Sequence, residues 1–462
     1  AALAIPPPIP GDAAPLRQPT PRDALADAPA LFHALGAVGT RNAQDEPGGT
    51  REHSALPRLP RPTEKGIKLI SVTPLRNDTP GFMDAEWWAP RPNTDVALMM
   101  GLAHTLVVEN LAKRDFLERY TVGFEIFEKY LLGKSDGTPK SAEWAAGICE
   151  LDAEKIRQLA REMAAKRTMI ATAYGLQRSD HGEQAFWMTA VLAAIVGQVG
   201  LPGGGFSFGY GSMHGQGNPL MQALPVSHST GKNPTGSFIP VARVTDLLEK
   251  AGEEYDFDGE RRRYPDTKLV YWCGGNPFHH HQDLNRLLQA WRRPDTVVVN
   301  EPWWTPTAKL ADIVLPATTT LERNDIGASS RDRYIMAMKQ AVPPQGEARN
   351  DFDIFGGLAE RTGVAKAFGY DMDEMTWLRK LYDEACTKIA DTGLNVPDFD
   401  TFWEEGYIET PMPTKLYNVY TDFRADPAAN KLPTPSGKIE IFSELIDSFG
   451  YDDCAGHPTW YE

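Results

Sequence analysis

At 462 residues the chain exceeds one ordinary hydrophobic core, and a length of about 150 residues per domain points to two or three domains. Its 42% hydrophobic and 24% charged residues, with 11 Trp and 19 Phe, are those of a globular protein able to bury a large core. Acidic residues number 62 against 47 basic ones, a net charge of -15 that opposes nucleic-acid backbones and anionic membranes, so no nucleic-acid partner is expected.

Residues 1–66 hold 12 of the 37 prolines, including Pro6-Pro7-Pro8, and are expected to be an irregular leader. They lack the basic start, apolar run and cleavage pattern of a secretory signal, and paired arginines are absent from the first residues. A cytoplasmic location is expected, with the periplasm as the alternative. Organised structure should begin after Gly66, where Ile67 to Val72 reads as a buried strand leading into the polar loop Thr73-Pro74-Leu75-Arg76-Asn77-Asp78.

Helices are predicted for Thr94 to Asn110, near Ala142, and for Asp152 to Lys166 with Asp152 as N-cap. Thr168 to Ala173 reads as a strand and Gly182 to Val199 as a helix. Its most apolar part, Ala185 to Val196, is short of the ~20 residues that span a bilayer. No membrane span is expected. The glycine and aromatic segment Phe206 to Pro219 has no regular period and reads as a functional or mobile loop.

From Pro240 the pattern alternates: helix Val241 to Ala251, strand Lys268 to Cys273, glycine turn, helix Gln282 to Trp291, strand Thr296 to Val299. Strand Asp312 to Leu315 and helix Asp351 to Arg361 extend it. This alternation predicts α/β structure with doubly wound, Rossmann-like parallel sheets in two domains, 67–240 and 241–372. Residues 373–462 then read as a helix and loop segment.

In such sheets ligands bind beyond the carboxyl ends of the strands, which directs attention to the loops after Val72, Ala173, Cys273, Val299 and Leu315. Gly274-Gly275-Asn276-Pro277 lets backbone amides approach a phosphate or pterin, with Asn276 as donor and acceptor; an ordinary tight turn is the other reading. Asn300-Glu301 places a carboxylate where guanine donors or ribose hydroxyls could be read, or where it simply ends a strand. Tyr174 to Gln184 crowds Arg178, Asp180, His181 and Glu183 into one strand-to-helix turn. Capping accounts for Asp180 and Glu183 only, whereas a phosphate-bearing cofactor also accounts for Arg178 and the glycines.

Other chemistries lack their parts. The four cysteines form no CxxC pair, which argues against structural zinc, an iron-sulfur cluster and a disulfide framework. His279-His280-His281 with Asp283 suits metal ions by residue type, but adjacent histidines point apart. With no G-x-S-x-G elbow and no G-x-G-x-x-G fingerprint, hydrolase and nicotinamide-dependent readings rank low. A chain with several nucleotide-like loops and no nucleophile suits a large cofactor that does the chemistry.

Taken in order, YGLQRSDHGEQ, GQVGLPGGGFSFGYGS, YWCGGNPFHHHQDLNRL, WTPTAKLADIVLPATTTLERNDIG, GEARNDFDIF, PSGKIEIFS and FGYDDCAGHPTWYE closely resemble the dimethyl sulfoxide reductase family of molybdenum enzymes. The likeness runs from about Gly66 to Glu462 and falls in the branch of biotin sulfoxide and trimethylamine N-oxide reductases. It implies molybdenum bis(molybdopterin guanine dinucleotide) and oxygen atom transfer from a small S-oxide or N-oxide, such as biotin, methionine or dimethyl sulfoxide or trimethylamine N-oxide. Electrons would come from a cytochrome, a small redox protein or NADPH.

By resemblance Thr73, Arg76, Asn93, Thr94 and Asp95 read one guanosine, and Tyr174 and Arg178 face pterin and phosphates. Gly275, Asn276, Asn300, Glu301, Arg323 and Asp351 match the other nucleotide site, with Glu301 standing where many relatives carry Asp. Tyr210 and His214 would line the substrate funnel, although a packed surface loop is the other reading. The family's molybdenum-ligating serine has no counterpart in residues 1–66, so no metal ligand is assigned. The family's C-terminal barrel-like domain would begin after Trp460. A fragment or truncated product is therefore expected, and a nucleotide-binding chain without catalysis is the competing reading.

Overall fold

A computed structural model describes residues 66–209, 224–227, 233, 235–329, 333–369, 371–390, 394–411 and 418–462. They form two compact units, one of residues 66–209 with 418–462, the other of residues 224–411.

The first unit is organised by the helix Asp95–Val108. Eleven of its 14 residues are buried, on every face, so it can only exist covered. Helices Ala142–Cys149, Ala153–Ala165 and Gly182–Val196 cover it. Ala153–Ala165 buries Ile156, Ala160 and Met163 at helical spacing, and Asp152 caps it by accepting from the Lys155 amide at 2.9 Å, as the sequence predicts. Gly182–Val196 ends at Gly197 in the left-handed conformation, φ 73°.

Strands of this unit pair in parallel by twos: Ile70–Val72 with Glu86–Trp88, Met169–Thr172 with Gly205–Phe208, and Thr121–Val122 with Ile439–Glu440. The last pair closes the unit across most of the chain. It brings Phe423, Ile439 and Ile441 into the core, with Trp460 half-buried against it.

In the second unit a three-stranded parallel sheet has the order Ile313–Pro316, Thr296–Glu301, Leu269–Cys273. The middle strand is the most buried because neighbours cover both edges. Leu248, Leu287, Ala290 and Trp291 pack on Val297 and Val299. A second core of Leu378, Tyr382, Phe399 and Phe402 joins helices Glu374–Ile389 and Phe399–Glu405 to an antiparallel sheet, Asp325–Gly327 with Tyr334–Met338 with Tyr407–Glu409.

The architecture is therefore mixed α/β with small parallel sheets, accompanied by antiparallel elements the alternation did not announce. One is the hairpin Glu254–Phe257 with Glu260–Arg263, where Arg263 pairs with Glu254 and Arg261 with Asp256 across the strands. Helix Val241 to Ala251 is observed as a 3-10 turn, Val241–Arg243, followed by Val244–Glu249. The segment read as 373–462 divides between the units, since residues 418–462 pack in the first. No helix among the described residues is long and apolar enough to cross a membrane.

The parallel closure depends on Gly123, which has φ 78° and starts helix Phe124–Leu131. A Cβ there would fall 2.2 Å from the Phe442 Cβ and 2.8 Å from its amide nitrogen. Gly123→Ala should lower the unfolding free energy of this unit by about 1–3 kcal/mol, measured by urea denaturation. An unchanged midpoint would show that residues 439–442 are not held against this turn.

Candidate functional site

Two groups of loops at strand carboxyl ends gather the residues singled out by sequence, one in each unit. In the first, Met169–Thr172 runs into a 3-10 turn, Tyr174–Arg178, and then into helix Gly182–Val196. Tyr174 is half exposed and stacks on Phe186 with ring centroids 6.2 Å apart. Arg178 is exposed and forms no ion pair among the described residues.

Helix Gly182–Val196 begins without a side-chain cap: the N-cap is His181, at φ 50°, and capping does not account for Asp180. Helix Asp95–Val108 likewise begins without one, because the Thr94 hydroxyl donates to the Arg91 carbonyl at 2.6 Å. Both helix starts therefore keep free amides and partial positive charge, which suits an anion. The Asn93 side-chain amide donates to the Asp180 carbonyl at 3.3 Å and ties the two starts together.

Between them lies a cleft of about 20 Å³, room for about one water. Asn93, Asp95, Asp180, His181 and Gln184 line it, with Trp460 and Tyr461 on the other side. The C-terminal contribution was not legible in the sequence. Gln184, buried in its helix, accepts from the Thr459 amide at 2.9 Å, and His181 stacks on Tyr461 at 4.5 Å. The only hint was a glutamine directly ahead of the apolar run Ala185 to Val196.

Thr73 and Arg76 lie in the loop after Ile70–Val72 but do not line this cleft. The Thr73 hydroxyl donates to Asp78 at 3.2 Å, while Arg76 donates to the Thr79 carbonyl at 3.2 Å and lies over Trp87.

In the second unit side chains join the parallel strands to one another and to the helices beyond their carboxyl ends. Asn300, buried at the end of the middle strand, accepts from the Tyr271 hydroxyl and donates to Asp351 Oδ1, both at 2.9 Å. Burial pushes the Tyr271 hydroxyl up, which keeps it a donor. Asp351 opens helix Asp351–Arg361, and its Oδ2 has no hydrogen-bond partner among the described residues. Asn276 accepts from the Thr307 hydroxyl and so fixes the glycine turn to helix Pro306–Lys309. Gly274 and Gly275 have φ of 73° and 71°, and a Cβ at Gly275 would meet nothing closer than 3.8 Å, so the turn is open on that side.

Glu301 and Arg323 serve their own loops. Glu301 accepts from the Trp303 amide and the Thr305 hydroxyl, each at 3.3 Å, leaving Trp303 and Trp304 exposed. Arg323 donates to the Thr318 carbonyl at 2.9 Å and to Asp325 at 3.3 Å. Two buried hydroxyls without partners, Thr172 Oγ1 and Thr318 Oγ1, also sit at or just beyond parallel strand ends. The expected funnel residues Tyr210 and His214 lie outside the described residues. Among those described, no group of three or more His, Cys, Asp or Glu side chains could hold a metal ion.

The family described as Molybdopterin oxidoreductase matches residues 51–361. The chain is 48% identical, over 95% of its length, to biotin sulfoxide reductase of Cereibacter sphaeroides, of which it covers 59%. It is 47% identical over 89% of its length to dimethyl sulfoxide/trimethylamine N-oxide reductase of Rhodobacter capsulatus, covering 52% of that protein. With trimethylamine-N-oxide reductase of Haemophilus influenzae it shares 46% identity over 86% of its length, covering 50%. The chain thus spans about half the length of these relatives. Among solved structures, acetylene hydratase from Pelobacter acetylenicus matches 87% of the chain and 54% of its own, with a TM-score of 0.57 and 21% identity, a likeness of fold alone.

Asp95 carries a testable consequence of the cleft. Burial pushes its carboxyl above the usual aspartate value. Because the folded value is raised, its contribution to stability is fully present below the unfolded pKa and is lost as pH rises through the folded one. Asp95→Asn should therefore gain stability relative to the wild type between acid and neutral pH, read from urea denaturation at both. A constant difference across that range would show that the carboxyl is not held in a desolvated place.

Proposed function

The chain is a member of the molybdopterin oxidoreductase family, and on that premise we propose that it is the cofactor-holding part of an S-oxide or N-oxide reductase. The family implies a molybdopterin cofactor, and the finer reading is a molybdenum bis(molybdopterin guanine dinucleotide), one nucleotide for each group of loops in two Rossmann-like halves. The chemistry supplied by the bound group is removal of oxygen from an S-oxide or N-oxide with two electrons and two protons, giving water. The named reductases are similar to this chain and support that substrate class.

The donor set fits such a ligand. In the first unit two uncapped helix starts and the unpaired Arg178 offer amides and a cation to phosphates, and Tyr174 offers an exposed ring to a pterin or base. Asn93 and Asp95 hold an amide and a carboxylate that a guanine edge would reach once the one-water cleft they line widens around it. In the second unit the open Gly274-Gly275 turn admits a phosphate close to the backbone.

There Asn300 orients Asp351, whose unpartnered Oδ2 can accept from guanine N1 and N2 or from ribose hydroxyls. Thr73 and Arg76 shape the first loop, and Glu301 and Arg323 hold the loops that border the second site. The observation that carries the reading is the Tyr271–Asn300–Asp351 chain at the carboxyl ends of a parallel sheet.

The test is calorimetric binding of GDP to the purified chain, followed by oxide reduction after expression in a host that makes the cofactor. GDP should bind, and Arg178→Ala and Asp351→Ala should each weaken it about tenfold, the effect of one charge-assisted hydrogen bond. The loaded protein should contain molybdenum and guanine nucleotide, and with a reduced dye it should consume dimethyl sulfoxide, biotin sulfoxide or trimethylamine N-oxide. Failure of the wild-type chain to bind GDP would overturn the assignment of the loops. Nucleotide without molybdenum or turnover would overturn the reductase and leave a nucleotide-holding chain.

A further inference from the structure

Helix Gly182–Val196 has the candidate cofactor loops at its start. Its far end, about 22 Å away for 15 residues at 1.5 Å each, borders a cavity of about 560 Å³ within the same unit. That cavity is lined by Lys113, Arg119, Lys166, Arg167 and Arg424, with Asp115 as the one carboxylate. Five cations to one acid is the reverse of the balance of the whole chain, which carries -15.

Among the described residues none of the five forms an ion pair with a carboxylate, although neighbouring Arg114, Arg157 and Arg161 all do. Helix ends account for part of the cluster. Arg424 donates to the Gly197 and Val199 carbonyls at 3.1 and 2.7 Å, and Arg167 to the Pro202 carbonyl at 2.8 Å. Lys113, Arg119 and Lys166 have no side-chain hydrogen bond among the described residues. Arg119 lies in the last turn of helix Arg114–Tyr120 and Lys166 ends Ala153–Ala165, as the dipole favours, whereas Lys113 stands at a helix start, where it does not.

The site is built as well as charged. Phe116 and Tyr120 form its floor, stacked with centroids 4.5 Å apart. Arg424 lies over the Phe116 ring and Arg119 over the Tyr120 ring, each at 5.2 Å, which holds both guanidiniums in place before any ligand arrives. Burial lowers the Arg424 pKa, and the charge of Arg167 adds to that effect, so a neutralising anion would be favoured there.

A volume of about 560 Å³ falls within the range of small-molecule sites and exceeds what a single phosphate fills. We propose that this cavity binds a small polyanion of the phosphate class, carrying two or three linked phosphates, at a site distinct from the cofactor loops. The selectivity follows from spacing: several fixed cations around one cavity reward linked charges over a single one.

Tripolyphosphate, pyrophosphate and orthophosphate titrated calorimetrically into the purified chain test the proposal, with Lys166→Gln/Arg167→Gln as the principal variant. Both side chains are exposed, and an unchanged thermal melt will show the variant folded. Tripolyphosphate should bind the wild type more tightly than orthophosphate, weaken with added salt, and weaken at least tenfold in the double variant. Lys134→Gln, at an exposed lysine of the same unit that does not line the cavity, should leave this binding unchanged. No binding to the wild type would overturn the proposal, and so would undiminished affinity in the double variant, which would place the polyanion elsewhere on the chain.

Discussion

Helix Asp95–Val108 has no polar face to offer water, so the first unit exists only as the set of elements that cover it. Three helices supply the cover, and the parallel pairing of Ile439–Glu440 with Thr121–Val122 brings the end of the chain in behind them. The functional geometry is a by-product of this burial. Once the helix is sunk to its first turn, Asn93, Thr94 and Asp95 stand beside the start of Gly182–Val196, and the cleft between them follows.

In the second unit the governing constraint is polar. A buried asparagine at the end of a central strand must find partners for both ends of its amide, and Asn300 finds them in Tyr271 and Asp351. That single side chain therefore aligns a strand, the neighbouring strand and the start of a helix. Residues alike in type are used differently around it: Glu301 folds back on its own loop, whereas Asp351 keeps an oxygen without a partner among the described residues. A carboxylate fixed by its own loop shapes a site, and one held by a neighbour with an oxygen to spare can contact a ligand.

The two ends of Gly182–Val196 carry different chemistry. Its start presents amides, Arg178 and aromatic rings among the family motifs, while its end meets a cationic cavity whose five cations all lie outside those motifs. The helix dipole alone would place cations at that end, but it does not require five of them around one cavity or two of them laid on aromatic rings.

The sequence by itself determined the local elements and the residue types of the ligand loops. Asp152 as a cap, the bounds of Asp351–Arg361, and the alternation through Leu269–Cys273, Thr296–Glu301 and Ile313–Pro316 were all legible, because caps and short-range periodicity act within a few residues. Its ordered motifs also pointed to the family. Tertiary structure alone decided which distant segments meet: Thr459 on Gln184, Tyr461 on His181, Ile439 beside Thr121, and the antiparallel joining of Tyr334–Met338 to Tyr407–Glu409. Those pairings depend on burial shared between residues far apart in the chain, and a pattern read over a dozen residues contains no term for a partner hundreds of positions away.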